Sequence, residues 1–402
     1  MRLSPLPFLL VLCASVFSPV SIQAAEMNDF TLNLFKSINA DPARKGKNLL
    51  VSPYSISTAL SMTVNGAAGD TRKSMTGALC LGEATDDKIN AEAAARKRSL
   101  STVGGDTKLS IANGLFVNKE ITFRQPFIDS CKKSYGASLE QMNFGAPEAA
   151  KTINSWVSKN TGEKIPKIID STKNDDVAYI INAIYLKARW QFPFSGEKTS
   201  SWNFNLPDGT TKWVRNMNMR RQDFSYLEQD GFQAINLPYR DGRLSLYVFL
   251  PGKETTLTAF ENGLTSKKLD GWIGQFKSRK GALSLPKFKI EDRMTLKQPL
   301  SKMGMPLAFS PDKADFTRMT SIDTSGGKRV YIDDVIHNTF MKVDEEGTEA
   351  AAATVVKMAL AMARMEPDPG FVMVVDRPFL ILLRDKETGA NLFFGHINNP
   401  GQ

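Results

Sequence analysis

Between Thr348 and Leu360 the chain keeps charge off every second position. Thr348, Ala350, Ala352, Thr354, Val356, Met358 and Leu360 form one period-two series, and both charges, Glu349 and Lys357, fall on the other. That is the pattern of a β-strand with one buried and one partly open face. Composition pulls the other way, because the alanine run Ala350-Ala351-Ala352-Ala353 beside Glu349 also suits a surface helix. The flanks narrow the choice: Asn338 to Val343 reads as a strand, and Glu366-Pro367-Asp368-Pro369-Gly370 must be loop. A stretch written both as exposed loop and as buried strand implies a segment that changes place.

The rest of the chain supplies a large sheet for such a segment. Ala178 to Leu186 is nearly continuous in apolar, β-branched and aromatic residues, so it belongs centrally in a covered sheet. Leu244 to Leu250 follows the turn pair Asp241-Gly242, and Phe379 to Arg384 with Asn391 to Phe394 reads as a hairpin around Thr388-Gly389. Helices are predicted after Ser52-Pro53-Tyr54-Ser55, with Ser55 as its cap, and over Ala149 to Ser158, with Ile153, Trp156 and Val157 on one side. No internal repeat, low-complexity tract or Gly/Ser linker divides the 402 residues, which points to one mixed α and β domain.

The N-terminus has the build of a leader. Arg2 gives a positive start, Phe8 to Phe17 an apolar stretch, and Ser21 to Ala25 a small-residue cleavage region, so residues 1–25 read as a secretory signal cut after Ala24 or Ala25. Ser15, Ser18, Pro19 and Ser21 interrupt the stretch before the roughly 20 apolar residues that a membrane span needs. Cys13 leaves with the leader. Cys80 and Cys131 then allow one disulfide or two buried free thiols, and the second reading is preferred. There is no Asn-x-Ser/Thr sequon, so an exported product, periplasmic or extracellular, needs no glycan.

Loss of Arg2 lowers the formal charge by one from the +9 of the whole chain. The basic runs Arg96-Lys97-Arg98, Arg220-Arg221 and Lys277-Ser278-Arg279-Lys280 are scattered along the sequence and not interleaved with stacking aromatics. They read as solvated faces and not as a nucleic-acid surface. A weak polyanion contact at Arg96-Lys97-Arg98 is a further reading of the same charges.

Catalytic chemistry is not written into the chain. With only His337 and His396, neither in an H-E-x-x-H or Cys/His pattern, a metal site lacks ligands. No G-x-S-x-G elbow, G-x-G-x-x-G or P-loop is present, so neither a hydrolase nor a nucleotide-binding enzyme is indicated, and no cofactor is expected.

The hinge Glu345-Glu346-Gly347-Thr348-Glu349-Ala350-Ala351-Ala352-Ala353-Thr354 resembles the inhibitory hinge of the serpin family almost residue for residue. The resemblance extends through Asn48 to Ile56, Asn182 to Trp190, Leu285 to Ile290 and Asp376 to Leu380, and covers essentially all of residues 26–402. It implies an α+β fold of three β-sheets with about eight or nine helices, and an exposed reactive-centre loop over residues 345–370. It also implies a covalent, suicide-substrate partnership between a monomeric inhibitor and a target serine protease, by insertion of the cleaved loop as a sheet strand, a mode of β-strand addition.

By the same resemblance, Ser52, Ser55, Asn182 and His337 match the polar cluster beneath the centre of the main sheet, and Trp190 matches the aromatic at its top. The bait bond falls between Ala361 and Met362, which favours elastase-like or subtilisin-like targets. Leu360 and Arg364 are alternative bait residues, the latter suited to a trypsin-like enzyme. The alternative function is a non-inhibitory member acting in binding, as a chaperone or in storage; the small residues Ala350 to Thr354 favour the inhibitor.

Overall fold

The structure, a computed structural model, describes residues 19–321, 330–348 and 370–401. The expected bait residues Leu360, Ala361, Met362 and Arg364, and the hinge positions from Glu349 to Thr354, lie outside the described residues.

The central sheet has six strands, in the order Phe288–Thr295, Ile336–Val343, Gly347–Thr348, Ala178–Arg189, Lys108–Asn118, Ser138–Met142. All neighbours are antiparallel except the last pair. The 178–189 strand lies between two partners, as its apolar run requires. A second network of nine strands contains Leu244–Pro251, Phe379–Asp385 and Asn391–Ile397, all buried throughout. The last two form the expected antiparallel hairpin.

This network bends on the strand Thr211–Gln229. Its register with Lys277–Pro286 shifts between Arg221 and Phe224. Residues before the shift pair with the hairpin strand Ser200–Asn205, and residues after it pair with Phe232–Pro238. The long strand thereby joins two parts of the network, which counted separately make three sheets with the central one. Nine α-helices accompany them among the described residues.

Local chemistry sets the helices that bear on the central sheet. The helix Pro53–Val64 is capped by Ser52, whose side chain accepts the Ser55 N–H at 3.3 Å, and not by Ser55 as the sequence suggested. Proline at the first helical position has no N–H to leave orphaned, which moves the cap one residue ahead of it. The second predicted helix spans Glu148–Asn160; Ile153 and Val157 are buried, and Trp156 meets the Phe116 ring edge-on with centroids 5.5 Å apart.

Cys131 is a fully buried free thiol and so forms no disulfide with Cys80, and burial pushes the Cys131 thiol up to about 12. Among the described residues no helix is long and apolar enough to cross a membrane, and no group of His, Cys, Asp and Glu side chains could hold a metal ion.

Candidate functional site at the seam of the central sheet

The two-residue strand Gly347–Thr348 sits between the 336–343 and 178–189 strands. Thr348 lies opposite Val343 on one side and Ala188 on the other, and Gly347 opposite Arg189. Among the described residues the two long strands are linked only through this short one. Residues 344–347 make the preceding turn: the Asp344 N–H donates to the Gly347 carbonyl at 3.0 Å, and Asp344 Oδ1 accepts the Glu346 N–H at 3.1 Å. Glycine is required at 347, where φ is +156° and an added Cβ would lie 2.0 Å from the Ala188 carbonyl oxygen.

This turn is held at three successive carbonyls by one segment. The Trp190 indole N–H donates to Asp344 O at 2.9 Å, the Phe194 N–H to Glu345 O at 2.9 Å and the Trp190 N–H to Glu346 O at 2.9 Å. Trp190 is buried and stacks on Tyr239, ring centroids 4.6 Å apart. The Tyr239 hydroxyl in turn shares a 2.5 Å hydrogen bond with Thr348 Oγ1. Burial in this stack pushes the Tyr239 phenol well up, so it stays a neutral hydrogen-bonding group.

The Glu345 side chain is clamped from a third direction. Lys287 Nζ reaches Glu345 Oε2 at 2.7 Å, and the Thr199 hydroxyl donates to Oε1 at 2.8 Å. Burial tends to raise this carboxyl, but the hydrogen bonds from Lys287, its own backbone and Thr199 outweigh it and hold it below the ordinary range.

Further down the seam lies a polar cluster. His337 Nε2 accepts the Ser52 N–H at 3.0 Å. The Ser55 hydroxyl donates to the Asn182 carbonyl at 3.3 Å, Asn182 Nδ2 to Asn113 Oδ1 at 2.6 Å, and Asn113 Nδ2 to the Tyr135 carbonyl at 2.7 Å. Burial lowers the His337 imidazole to about 3. It is therefore neutral, with its proton on Nδ1, because Nε2 is the acceptor. Asn182 Oδ1 is buried and has no hydrogen-bond partner among the described residues.

Ser52, Ser55, Asn182 and His337 thus come together, while Trp190 stands at the other end of the strand with Glu345, Glu346, Gly347 and Thr348. Sequence reasoning missed Tyr239, Lys287, Thr199 and Asn113, which reach the seam from separate strands or loops and carry no local signal. The run Arg96-Lys97-Arg98 ends the helix Asp86–Leu100, but Arg96 turns inward and lines a small pocket with Tyr54 and Tyr135. The three cations do not make one outward stripe.

The chain belongs to the serpin family: the family model described as "Serpin (serine protease inhibitor)" matches residues 25–400. The leukocyte elastase inhibitor of Xenopus laevis is 34% identical over 385 residues, covering 92% of this chain and 97% of that one. Two solved structures share the fold. The thermophilic serpin tengpin in its native state has a TM-score of 0.81, 28% identity and 94% coverage of both chains. A thyroxine-binding globulin complex with thyroxine has a TM-score of 0.83 and 27% identity, covering 95% of this chain and all of that one.

Proposed function

We propose that this chain is an exported inhibitor of serine proteases that traps its target by inserting its own cleaved loop between the 178–189 and 336–343 strands. The observation that carries this is the placement of Gly347–Thr348, antiparallel to both strands. Continued in the same register, Ala350 would fall opposite Leu186 and Met341, Ala352 opposite Ile184 and Thr339, and Thr354 opposite Asn182 and His337. All of these partners except Asn182, which is half-buried, are buried. The uncharged series of the loop would therefore face the core, and Glu349 would share its side with the exposed Lys187.

Entry of such a strand gives unpaired backbone groups two ladders of hydrogen bonds. Small side chains at 350–353 lessen the room that must be made. In the reaction the protease serine attacks the Ala361 carbonyl, the bond to the Met362 nitrogen breaks, and that amine leaves with a proton from the protease's general acid. An ester to Ala361 remains. Extended from Glu345 to Ala361, the segment spans roughly 50 Å at about 3.3 Å per residue, so insertion carries the acylated enzyme far from its starting pole before water can release it.

Incubation with elastase-like, subtilisin-like and trypsin-like enzymes tests the reading. A complex with the first two that survives boiling in detergent is expected, with a released fragment beginning at Met362. A fragment beginning at Met365 moves the bait bond to Arg364. Cleavage by all three with no stable complex sinks the inhibitory reading and leaves a carrier or storage role. Export is tested by N-terminal sequencing of the secreted product, expected to begin at Ala25 or Glu26.

A further inference from the structure

The helix Asp86–Leu100 turns one face to the core. Ile89, Ala93, Arg96 and Leu100 recur at helical spacing along it, and Ile89 and Leu100 are buried. An arginine therefore stands where this face calls for an apolar side chain. Arg96 is half-buried, and its guanidinium makes no hydrogen bond or ion pair among the described residues. Glu92 lies one turn away on the same helix, but its carboxylate faces Lys88 at 3.9 Å.

The guanidinium borders a cavity of about 40 Å³ bounded by four helices, Pro19–Asn39, Pro53–Val64, Asp86–Leu100 and Gln125–Tyr135. Met27, Phe30, Leu79 and Ile89, all buried, form its apolar wall. Tyr54 and Tyr135 line it opposite them in character. The Tyr135 side chain is 1% exposed, and its hydroxyl has no hydrogen-bond partner. The nearby Asn65 amide is committed elsewhere, to the Ser61 carbonyl at 3.0 Å and to the Asn90 side chain at 3.1 and 2.7 Å. Burial pushes the phenols of Tyr54 and Tyr135 up while the Arg96 charge pulls both back, so one cation acts on both rings. Both phenols stay neutral and can donate.

A half-buried charge without a counter-ion and a buried donor without an acceptor are each unfavourable, and one oxyanion would satisfy both. The planar guanidinium fork matches a carboxylate, and a phenol can give that group a further bond. The space takes about three water-sized spheres, far less than a drug-sized ligand needs. An apolar wall around so small a volume suits a short alkyl stem. We infer that this cavity binds a short-chain aliphatic carboxylate, with its oxygens on Arg96 and Tyr135 and its stem against Met27, Phe30, Leu79 and Ile89. The site does not depend on the protease-directed reading above.

The test is calorimetric titration of the purified protein with propionate, propionamide, inorganic sulfate and octanoate. Saturable binding of propionate with a dissociation constant of about 1 mM is expected, an affinity within reach of so small a ligand. Propionamide and sulfate should bind more weakly by about tenfold, the first lacking the charge and the second the stem. Equal binding of either, or no saturation by propionate, overturns the proposal. Octanoate should bind no more tightly than propionate, and markedly tighter binding would assign a fatty acid and overturn the short-chain reading. Arg96→Gln and Tyr135→Phe should each weaken propionate by about tenfold. Arg98→Gln, at an exposed position of the same helix, should leave it unchanged. Because Tyr135→Phe also removes an unsatisfied donor, the melting temperature of the ligand-free protein should hold or rise. A fall would show that the hydroxyl has a partner and would overturn the site, as would parental affinity in Tyr135→Phe or an equal loss in Arg98→Gln.

Discussion

The ring of His337 holds the N-terminus of the 53–64 helix: its Nε2 accepts the Ser52 backbone N–H at 3.0 Å, and both residues are buried. Ser52 is also the cap of that helix, and His337 belongs to one of the two strands that flank Gly347–Thr348. The bond therefore ties the helix layer to a strand that must shift if the sheet is to admit another.

This makes stability depend on pH with a definite sign. Burial depresses the folded pKa of His337 from 6.5 to about 3, so in between the unfolded chain binds the proton and the folded chain does not. The contribution is complete above the unfolded value and is lost as pH falls below it, at about 1.4 kcal/mol per unit. Thermal melts between about pH 5 and 6.5, above the carboxylate range, should show a falling melting temperature. His337→Gln, which keeps an acceptor but no titrating ring, should flatten that slope. An equal slope in the variant would place its origin elsewhere.

The Glu345 clamp should restrain the hinge. Glu345→Lys sets two cations together where an ion pair of 2.7 Å stood. Because Lys287 is partly exposed, the pair itself is worth about 1 kcal/mol or less. The clearer signal is faster loss of protease-trapping activity on warm storage. Adding Lys287→Glu to Glu345→Lys restores opposite charges and should recover most of the loss; failure of the double variant to do so would mean that Thr199 and the backbone bonds carry the restraint.

Thr348→Arg should convert an inhibitor into a substrate. The Thr348 side chain is 2% exposed beneath Tyr239, and burying an unpaired guanidinium there costs several kcal/mol. The variant side chain is therefore expelled from the sheet in the intact protein and must be buried again on insertion, and each 1.4 kcal/mol added to that barrier slows the step about tenfold. Deacylation then wins. Glu349→Arg, which in the register proposed would share its side with the exposed Lys187, is the control. Moles of inhibitor consumed per mole of protease silenced should rise steeply for the first variant and little for the second; equal values would discard the register.

Cleavage without trapping should raise the melting temperature substantially, since a nick between Lys357 and Met365 frees the loop to add its ladders. In the register proposed, the Thr354 hydroxyl arrives at the buried, unpartnered Asn182 Oδ1. Thr354→Val keeps the shape and removes the donor. It should leave the intact protein's melting temperature unaltered and reduce the gain on cleavage by about 1–3 kcal/mol, the cost of an unsatisfied buried acceptor. An undiminished gain would show that another group satisfies Asn182.

Much of this protein is readable along the chain, because burial in a strand alternates with residue number and buried strands are apolar throughout. The 178–189 strand and the 379–385 and 391–397 hairpin were legible for that reason. The family pattern also pointed to Ser52, Ser55, Asn182 and His337 before any contact was known. The tertiary structure decided which groups meet. Tyr239 on Thr348, Lys287 on Glu345 and Asn113 on Asn182 depend on strand register, where a slip of one residue reverses every face. The basic runs around Arg220 and Arg279 look unrelated in sequence and join only because two strands pair across a shifted ladder. Alternation is a property of one strand and can be read from it, whereas a contact belongs to two strands and is fixed only when both are packed.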